Sequence, residues 1–378
     1  TITGDTTLIL WTKVIDLPGD QTAAGLAIGS DGSIMIAGVT GTYGNHDALL
    51  VKTDTEGNLL WQKTYGGAAD DYATDITATS DGNFAMCGST SSYGAGEEDA
   101  WLLKLDADGN VLWERTYGGE RDDRAKSVVQ TSDGGYALIG ESCSFARYCP
   151  SGYFIKADQE GIEEWYKTFY RILGCVESFP PSVTAFDVIS TRDGNIVFSY
   201  GAKYRSFEGF SHDGTEICLS DLYQNGLYKI DCLSNGIWNE SETDVYNWDP
   251  VRSIFELDNQ ELLWVRDVCE VARASSNGIE IWEVGPEEFS ARQFNDLAGS
   301  DAGHIVVVGN ATGDLTHTYL LSLDMSGNIL RELSFNEPGN QGLVVVKIHV
   351  EGKLVAAGFT NLSGSDSDVL LIQLSRYF

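Results

Sequence analysis

Short apolar or alternating runs, separated by glycine-centred turns, follow one another along the whole chain. Between residues 73 and 117 there are four: 73–79, 83–89, 99–105 and 111–117. Asp81-Gly82 separates the first two, and Asp108-Gly109-Asn110 separates the last two. Both supply residues that accept φ > 0, as tight hairpins require. Alternation at a period of two, bounded by such turns, predicts strands, and each group of four predicts an antiparallel sheet.

The groups repeat. Trp11, Trp61, Trp113 and Trp165 are 50, 52 and 52 residues apart. Trp61-Gln-Lys-Thr-Tyr65-Gly-Gly67 returns as Trp113-Glu-Arg-Thr-Tyr117-Gly-Gly119, and Thr79-Ser-Asp-Gly82 returns as Thr131-Ser-Asp-Gly134. Later units are more worn. The last has three runs, at 343–350, 353–359 and 369–374, and lacks a fourth, while an isolated run around Trp11 opens the chain. Joining the two predicts a seven-bladed, all-β propeller of four-stranded blades whose N-terminal strand completes the last blade. The expected units are 23–67, 73–119, 125–171, 185–243, 251–285, 291–335, and 343–378 with 7–15, in a single domain. The alternative is six blades with an irregular insertion in 200–290.

Charge narrows the function. Twenty-four Lys and Arg face 56 Asp and Glu, a net charge of −32. That excludes a phosphate-backbone binder, whose affinity rests on basic residues, so no nucleic-acid partner is expected. No apolar run approaches the roughly 20 residues of a membrane-spanning helix. Thr1-Ile2-Thr3-Gly4-Asp5 has neither a basic nor an apolar leader segment, so an export signal is expected to be absent or removed.

The repeat Trp-x-Lys-Thr-Tyr-Gly-Gly, then Thr-Ser-Asp-Gly, then Leu103-Lys-Leu-Asp106 with Gly109-Asn110, resembles the tandem propeller repeats of archaeal and bacterial cell-surface and secreted proteins. The match is good over 8–165, partial over 290–378 and poor between. The resemblance implies a propeller and an extracellular or cell-surface setting, and it implies no particular activity. The spacing from Gly109 to Trp113 departs from both the sialidase Asp box and the quinoprotein tryptophan motif, so no quinone is expected.

Most repeated residues have structural explanations. The tryptophans suit blade-to-blade packing. Lys52, Lys104, Lys156 and Lys229 are expected to be solvent-side or ion-paired. Alternate connections of antiparallel strands fall on opposite faces, so the Asp-Gly and Gly-Asn turns share one face. The other collects the irregular loops and the acids Asp20, Asp70, Asp71, Glu97, Glu98, Asp122, Asp123, Glu287, Glu288 and Asp366, a candidate binding face. Asp47, Asp71, Asp99, Asp123 and Asp368 stand at strand starts, where capping of backbone N–H groups is favoured over metal ligation. No cofactor is required. Calcium is the alternative, with Asp70, Asp71, Asp122 and Asp123 as ligands.

Cys87 reads as a free core thiol. The other six cysteines lie between 143 and 269, where the repeat is least regular, and read as disulfides of an oxidising compartment: Cys143–Cys149, Cys218–Cys232 and Cys175–Cys269. Asn239, Asn310 and Asn361 head glycosylation sequons. The five histidines show no zinc spacing, and neither a nucleophile elbow nor a phosphate loop occurs. The sequence therefore favours a non-enzymatic binding or structural module. Its expected partners are surface proteins, glycans or copies of itself, through contact or assembly into an array or filament. The alternative is a carbohydrate-active hydrolase or lyase with paired carboxylates in the central depression.

Overall fold

The computed structural model describes the chain except residues 1, 5–8, 18, 43, 146–148, 170–181, 207–208, 211–215, 218–219, 231–235, 245–249, 267–269, 286–291, 300–302, 312–313, 337–340, 350–351, 361–366 and 376–378. Among the described residues there is no helix, and seven antiparallel sheets form a ring. The inner strands, which define blades one to seven, are Gln21–Ile28, Asp71–Ala78, Asp123–Gln130, Ser182–Ser190, Val251–Glu256, Arg292–Gly299 and Gln341–Ile348. Each touches the inner strand of both neighbours, the seventh against the first included.

Blade seven is completed as expected. Ile9–Ile15 pairs antiparallel with Asp368–Leu374, with Ile15 opposite Val369 and Ile9 opposite Leu374. The residues before it do something the pattern did not suggest. Ile2–Gly4 adds a fifth strand to blade six, Ile2 opposite Phe335, so the opening segment spans the joint between two blades. The six-blade alternative is overturned. Residues 182–244 and 251–284 form two full blades, and the irregularity is a small hairpin, Gly209–Phe210 with Glu216–Ile217, between the second and third strands of blade four.

Apolar side chains fill the spaces between blades. Met35 and Leu50 of blade one pack with Phe84 and Trp101 of blade two, and each of the other six joints holds its own cluster. Both faces of every sheet are thus covered, which is why the second and third strands read as unbroken apolar runs.

The repeat motifs are satisfied across the joints. Trp61 on the outer strand of blade one lies over Gly109, in the last turn of blade two. A Cβ on that glycine would sit 2.6 Å from the indole, and its φ is +73°. Tyr65 Oη donates to Gly109 O at 2.7 Å, and Lys63 Nζ donates to Asn110 Oδ1 at 2.8 Å. Trp113 and Tyr117 repeat the arrangement on Gly161. Tryptophan thus packs between blades as expected, on the neighbour's turn as well as against its sheet, where Trp113 meets Tyr136 with ring centroids 5.6 Å apart.

Of the two expectations for the lysines, the ion-paired one holds and the solvent-side one does not. Lys52, Lys104, Lys156 and Lys229 are all buried on third strands, each with its ammonium against the Asp of its own blade's first turn. The partners are Asp31 at 3.4 Å, Asp81 at 3.0 Å, Asp133 at 2.9 Å and Asp193 at 2.7 Å. A threonine hydroxyl completes three of these turns, as Thr131 donates to Asp133 Oδ1 at 2.5 Å.

Candidate functional site

Every inner strand carries a bulge near its start: between Ala23 and Gly25, Ala73 and Asp75, Ala125 and Ser127, Ala185 and Val188, Val251 and Ser253, Phe294 and Asp296, and Leu343 and Val345. A bulge leaves one residue unpaired and re-aims its side chain. Here it also brings a carbonyl close to the second strand. A Cβ on Gly88 would lie 1.8 Å from Tyr72 O, and Gly38, Gly140, Gly309 and Gly358 meet the same approach, which explains the glycine repeated in second strands.

The bulged residues Ala24, Thr74, Lys126, Phe186, Arg252, Asn295 and Val344 turn into the axial channel and line a cavity of about 430 Å3. This level is about 10 Å below the irregular-loop face, three residues into the strand. Lys126 Nζ lies 5.4 Å from the centre of the Phe186 ring and Arg252 Cζ 4.8 Å from it. Lys126 is also 3.6 Å from Glu141. Burial lowers its pKa, partly offset by Glu141.

One residue deeper runs a polar belt: Asp75, Ser127, Asp187, Ser253 and Asp296, on blades two to six. Each acid reaches the next blade. Asp75 accepts from Val128 N at 3.0 Å, Asp187 from Ile254 N at 2.8 Å and Asp296 from Val346 N at 2.8 Å. Ser127 Oγ is 2.9 Å from Asp75 and 3.0 Å from Asp187. A hydroxyl has one proton to give, so this link is complete when one of the two carboxyls is protonated.

Burial, countered by Lys347 and reinforced by Asp187, pushes Asp75 up to about 6, and burial raises Asp187 as well. Lys347 projects among the three acids, 3.7 Å from Asp296, with 45% of its side chain still reached by water through the channel. Burial opposes its charge, but Asp296, Asp187 and Asp75 outweigh that and hold its pKa above the usual lysine range.

Capping, the expectation for the acids at strand starts, is what Asp71, Asp99 and Asp123 do. Asp71 and Asp123 are wholly buried and cap backbone, accepting from Gly67 N at 2.7 Å and Gly119 N at 2.8 Å, with Ser92 and Ser144 donating to the same carboxylates. Asp99 accepts from Ala95 N and Gly96 N. Asp70 accepts from Gly44 N and His46 N, and these amides, above all that of His46, lower its pKa. Asp122 and Glu98 both pair with Arg124, and Asp20 accepts from Ser367 N. Of these acids Asp20 and Glu97 are exposed. The candidate acidic face is thus largely consumed in holding its own loops.

Among the described residues no group of three or more His, Cys, Asp or Glu side chains is gathered to hold a metal ion. Glu287, Glu288 and Asp366 lie outside the described residues, as do Cys175, Cys218, Cys232, Cys269 and Asn361. Cys143 and Cys149 form a disulfide in a loop of this face, and Cys87 is a buried free thiol. Asn239 falls on an outer strand. Asn310 is 8% exposed on a second strand, with Thr318 Oγ1 donating to its Oδ1, which corrects its reading as a glycan site: a buried amide cannot carry one.

The belt and the bulge ring escaped the sequence reading. Thr74-Asp75 and Lys126-Ser127 do recur at one register, but nothing in the pattern marks an extra residue in a strand.

Neither a family model nor a curated protein matches the sequence. The fold is shared with solved structures over nearly the whole chain. The C-terminal WD40 domain of Sif2 is 12% identical with a TM-score of 0.54, covering 94% of this chain and 97% of that one. A protein of unknown function from Dyadobacter fermentans is 11% identical, TM-score 0.53, covering 99% of both. YCF48 bound to D1 peptide is 10% identical, TM-score 0.51, covering 96% of both. Identities this low establish a shared β-propeller fold and nothing finer.

Proposed function

We propose that this propeller is a non-enzymatic binding module of an extracellular or cell-surface protein, engaging another surface protein, a glycan or a copy of itself on its irregular-loop face. One observation carries the reading: the ring of bulges opens an axial cup on that side, while the carboxylates around it are engaged with backbone or cations. The Cys143–Cys149 disulfide and the resemblance to surface-protein repeats support the extracellular setting. Two of the similar folds, a WD40 domain and a peptide-bound propeller, support protein interaction. The reading needs no cofactor. Calcium held by Asp70, Asp71, Asp122 and Asp123 is the alternative.

The catalytic alternative has one observation in its favour, the proton-sharing Asp75–Ser127–Asp187 link in the central channel. A polysaccharide screen with wild type and the Asp75→Asn and Asp187→Asn variants separates the two. Binding without turnover is expected. Turnover by wild type that both variants lose would replace the binding module with an enzyme.

A further inference from the structure

Repeated blades separate side chains that serve the fold, and so recur, from those that do not. Among the described residues the large exposed aliphatic side chains gather at the outer strands. There Leu10, Leu60, Leu112, Ile281 and Leu330 all stand just before the tryptophan or, in blade six, Arg331. Three exposed aromatic rings lie elsewhere in the pattern. Tyr93 (44% exposed) and Phe145 (37%) share one place in the loops between the second and third strands of blades two and three. Tyr166 (42%) is on the outer strand of blade three, where the two preceding blades have Gln62 and Glu114.

Both loop rings stand on rigid mounts. Thr90 Oγ1 accepts from Ser92 N at 3.1 Å and Tyr93 N at 3.2 Å, and Ser142 Oγ accepts from Ser144 N at 3.1 Å and Phe145 N at 3.3 Å. Ser92 and Ser144 donate in turn to the buried Asp71 and Asp123. The second glycine of each Tyr-Gly-Gly motif makes room, since a Cβ on Gly67 or Gly119 would lie 2.7 Å from the serine Cβ. The Cys143–Cys149 disulfide closes the loop that carries Phe145. Rings held this way lose little freedom when a ligand settles on them.

Beneath each loop ring lies a second ring. Centroid to centroid, Tyr93 is 6.1 Å from Trp101 and Phe145 is 5.7 Å from Tyr153, while Tyr166 is 4.8 Å from Phe145 and 5.8 Å from Tyr153. Trp101 and Tyr153 are buried, and among the described residues neither Trp101 Nε1 nor Tyr153 Oη meets a hydrogen-bond partner. The same position is Leu49 in blade one and Leu370 in blade seven, so packing by itself is met by an aliphatic side chain. Leaving a buried polar atom unpaired costs about 1–3 kcal/mol. Blades two and three bear that cost and gain a broad aromatic base under an exposed ring.

Stacked rings with a face open to water suit the C–H face of a pyranose. Extended peptides also bind aromatic surfaces, but they draw on main-chain partners. These loops have spent theirs: the N–H groups of Ser92, Tyr93, Ala95, Gly96, Ser144 and Phe145 are all bonded within the protein. A sugar brings its own hydroxyls, which water can bridge. A net charge of −32 selects against acidic sugars.

We propose that Tyr93 on blade two, and Phe145 with Tyr166 on blade three, are two stacking subsites for a neutral glycan on the irregular-loop face. The proposal rests on the binding-module reading and commits it to a glycan held away from the axial cup.

The test is calorimetric titration of the intact protein with neutral pentasaccharides of β-linked glucose, mannose, galactose and N-acetylglucosamine. Pentagalacturonate is the anionic control and decaproline the peptide control. At least one neutral chain should bind, and neither control should. Tyr93→Ala, Phe145→Ala and Tyr166→Ala should each weaken binding about tenfold. Tyr93→Phe, Phe145→Tyr and Tyr166→Phe keep the ring and should retain most of the affinity.

The absence of binding by all four neutral chains at millimolar concentration would overturn the proposal. So would affinity indifferent to the three Ala variants, or pentagalacturonate bound as tightly as a neutral chain. Decaproline binding that the Ala variants lose would put a peptide on these rings instead. A protein partner that binds the irregular-loop face regardless of these variants would leave the binding module standing and remove the glycan from it.

Discussion

The Lys156 ammonium, 1% exposed on the third strand of blade three, lies 2.9 Å from the Asp133 carboxylate in the turn joining that blade's first two strands. Glu164 on the fourth strand meets the same ammonium at 3.0 Å. One buried cation therefore ties a hairpin turn and an outer strand to the blade's centre. Burial works against Asp133, but Thr131 and Lys156 hold its pKa below the usual range.

Lys156→Met should remove that tie and leave Asp133 partly desolvated. A loss of about 2 kcal/mol is expected in urea denaturation, at the low end for buried pairs because both acids keep solvent contact. Unchanged stability would mean that the pair is ornamental.

Gly109→Ala puts a methyl group against Trp61 at a φ of +73°, where an L side chain is already strained. Between them the two effects should cost roughly 2–3 kcal/mol. Pairing the change with Trp61→Leu should recover part of that, and a double-mutant cycle measures how much.

Asp75 gives a pH dependence of definite sign. Its folded pKa of about 6 lies above the ordinary value of 3.8, so the folded state binds the proton more tightly than the unfolded chain. The stability this provides is fully present below about pH 4 and is lost as pH rises through about 6. Relative to Asp75→Asn, which cannot titrate, wild type should lose about 3 kcal/mol across that window. Asp187 and Lys347 share the channel, so the measured quantity is the difference between the two proteins. A difference that is flat with pH would contradict the assignment.

Deleting residues 1–15 removes both the closing strand and the strap on blade six. The edge of Asp368–Leu374 is then unpaired, and cooperative thermal unfolding should be lost. A peptide of residues 9–15 should restore it. Deleting residues 1–4 alone should leave the ring closed. An unshifted melting curve for the longer deletion would mean that closure does not depend on this strand.

A chelator should leave the protein's melting temperature unchanged, because Asp71 and Asp123 already accept protein N–H and O–H groups. A downward shift that calcium reverses would place a metal in this fold.

The repeat period, the blade number and the closing strand were written in the sequence, because turn chemistry and alternation are local and recur at fixed spacing. Trp61, Tyr65, Gly109 and Asn110 were visible as a motif for the same reason. Their partnership was not, since the contacts run from one blade to the next and no single unit satisfies its own motif. Asp71 and Asp123 were legible as caps from their place at strand starts, but the hydroxyls of Ser92 and Ser144 that also bond them come from another loop and are brought there only by the fold. The cup around Lys126, Phe186 and Arg252 depended wholly on tertiary structure. Those residues are some sixty positions apart, and they meet only because a bulge in each inner strand, made room for by a second-strand glycine in most blades, turns one side chain per blade toward a common axis.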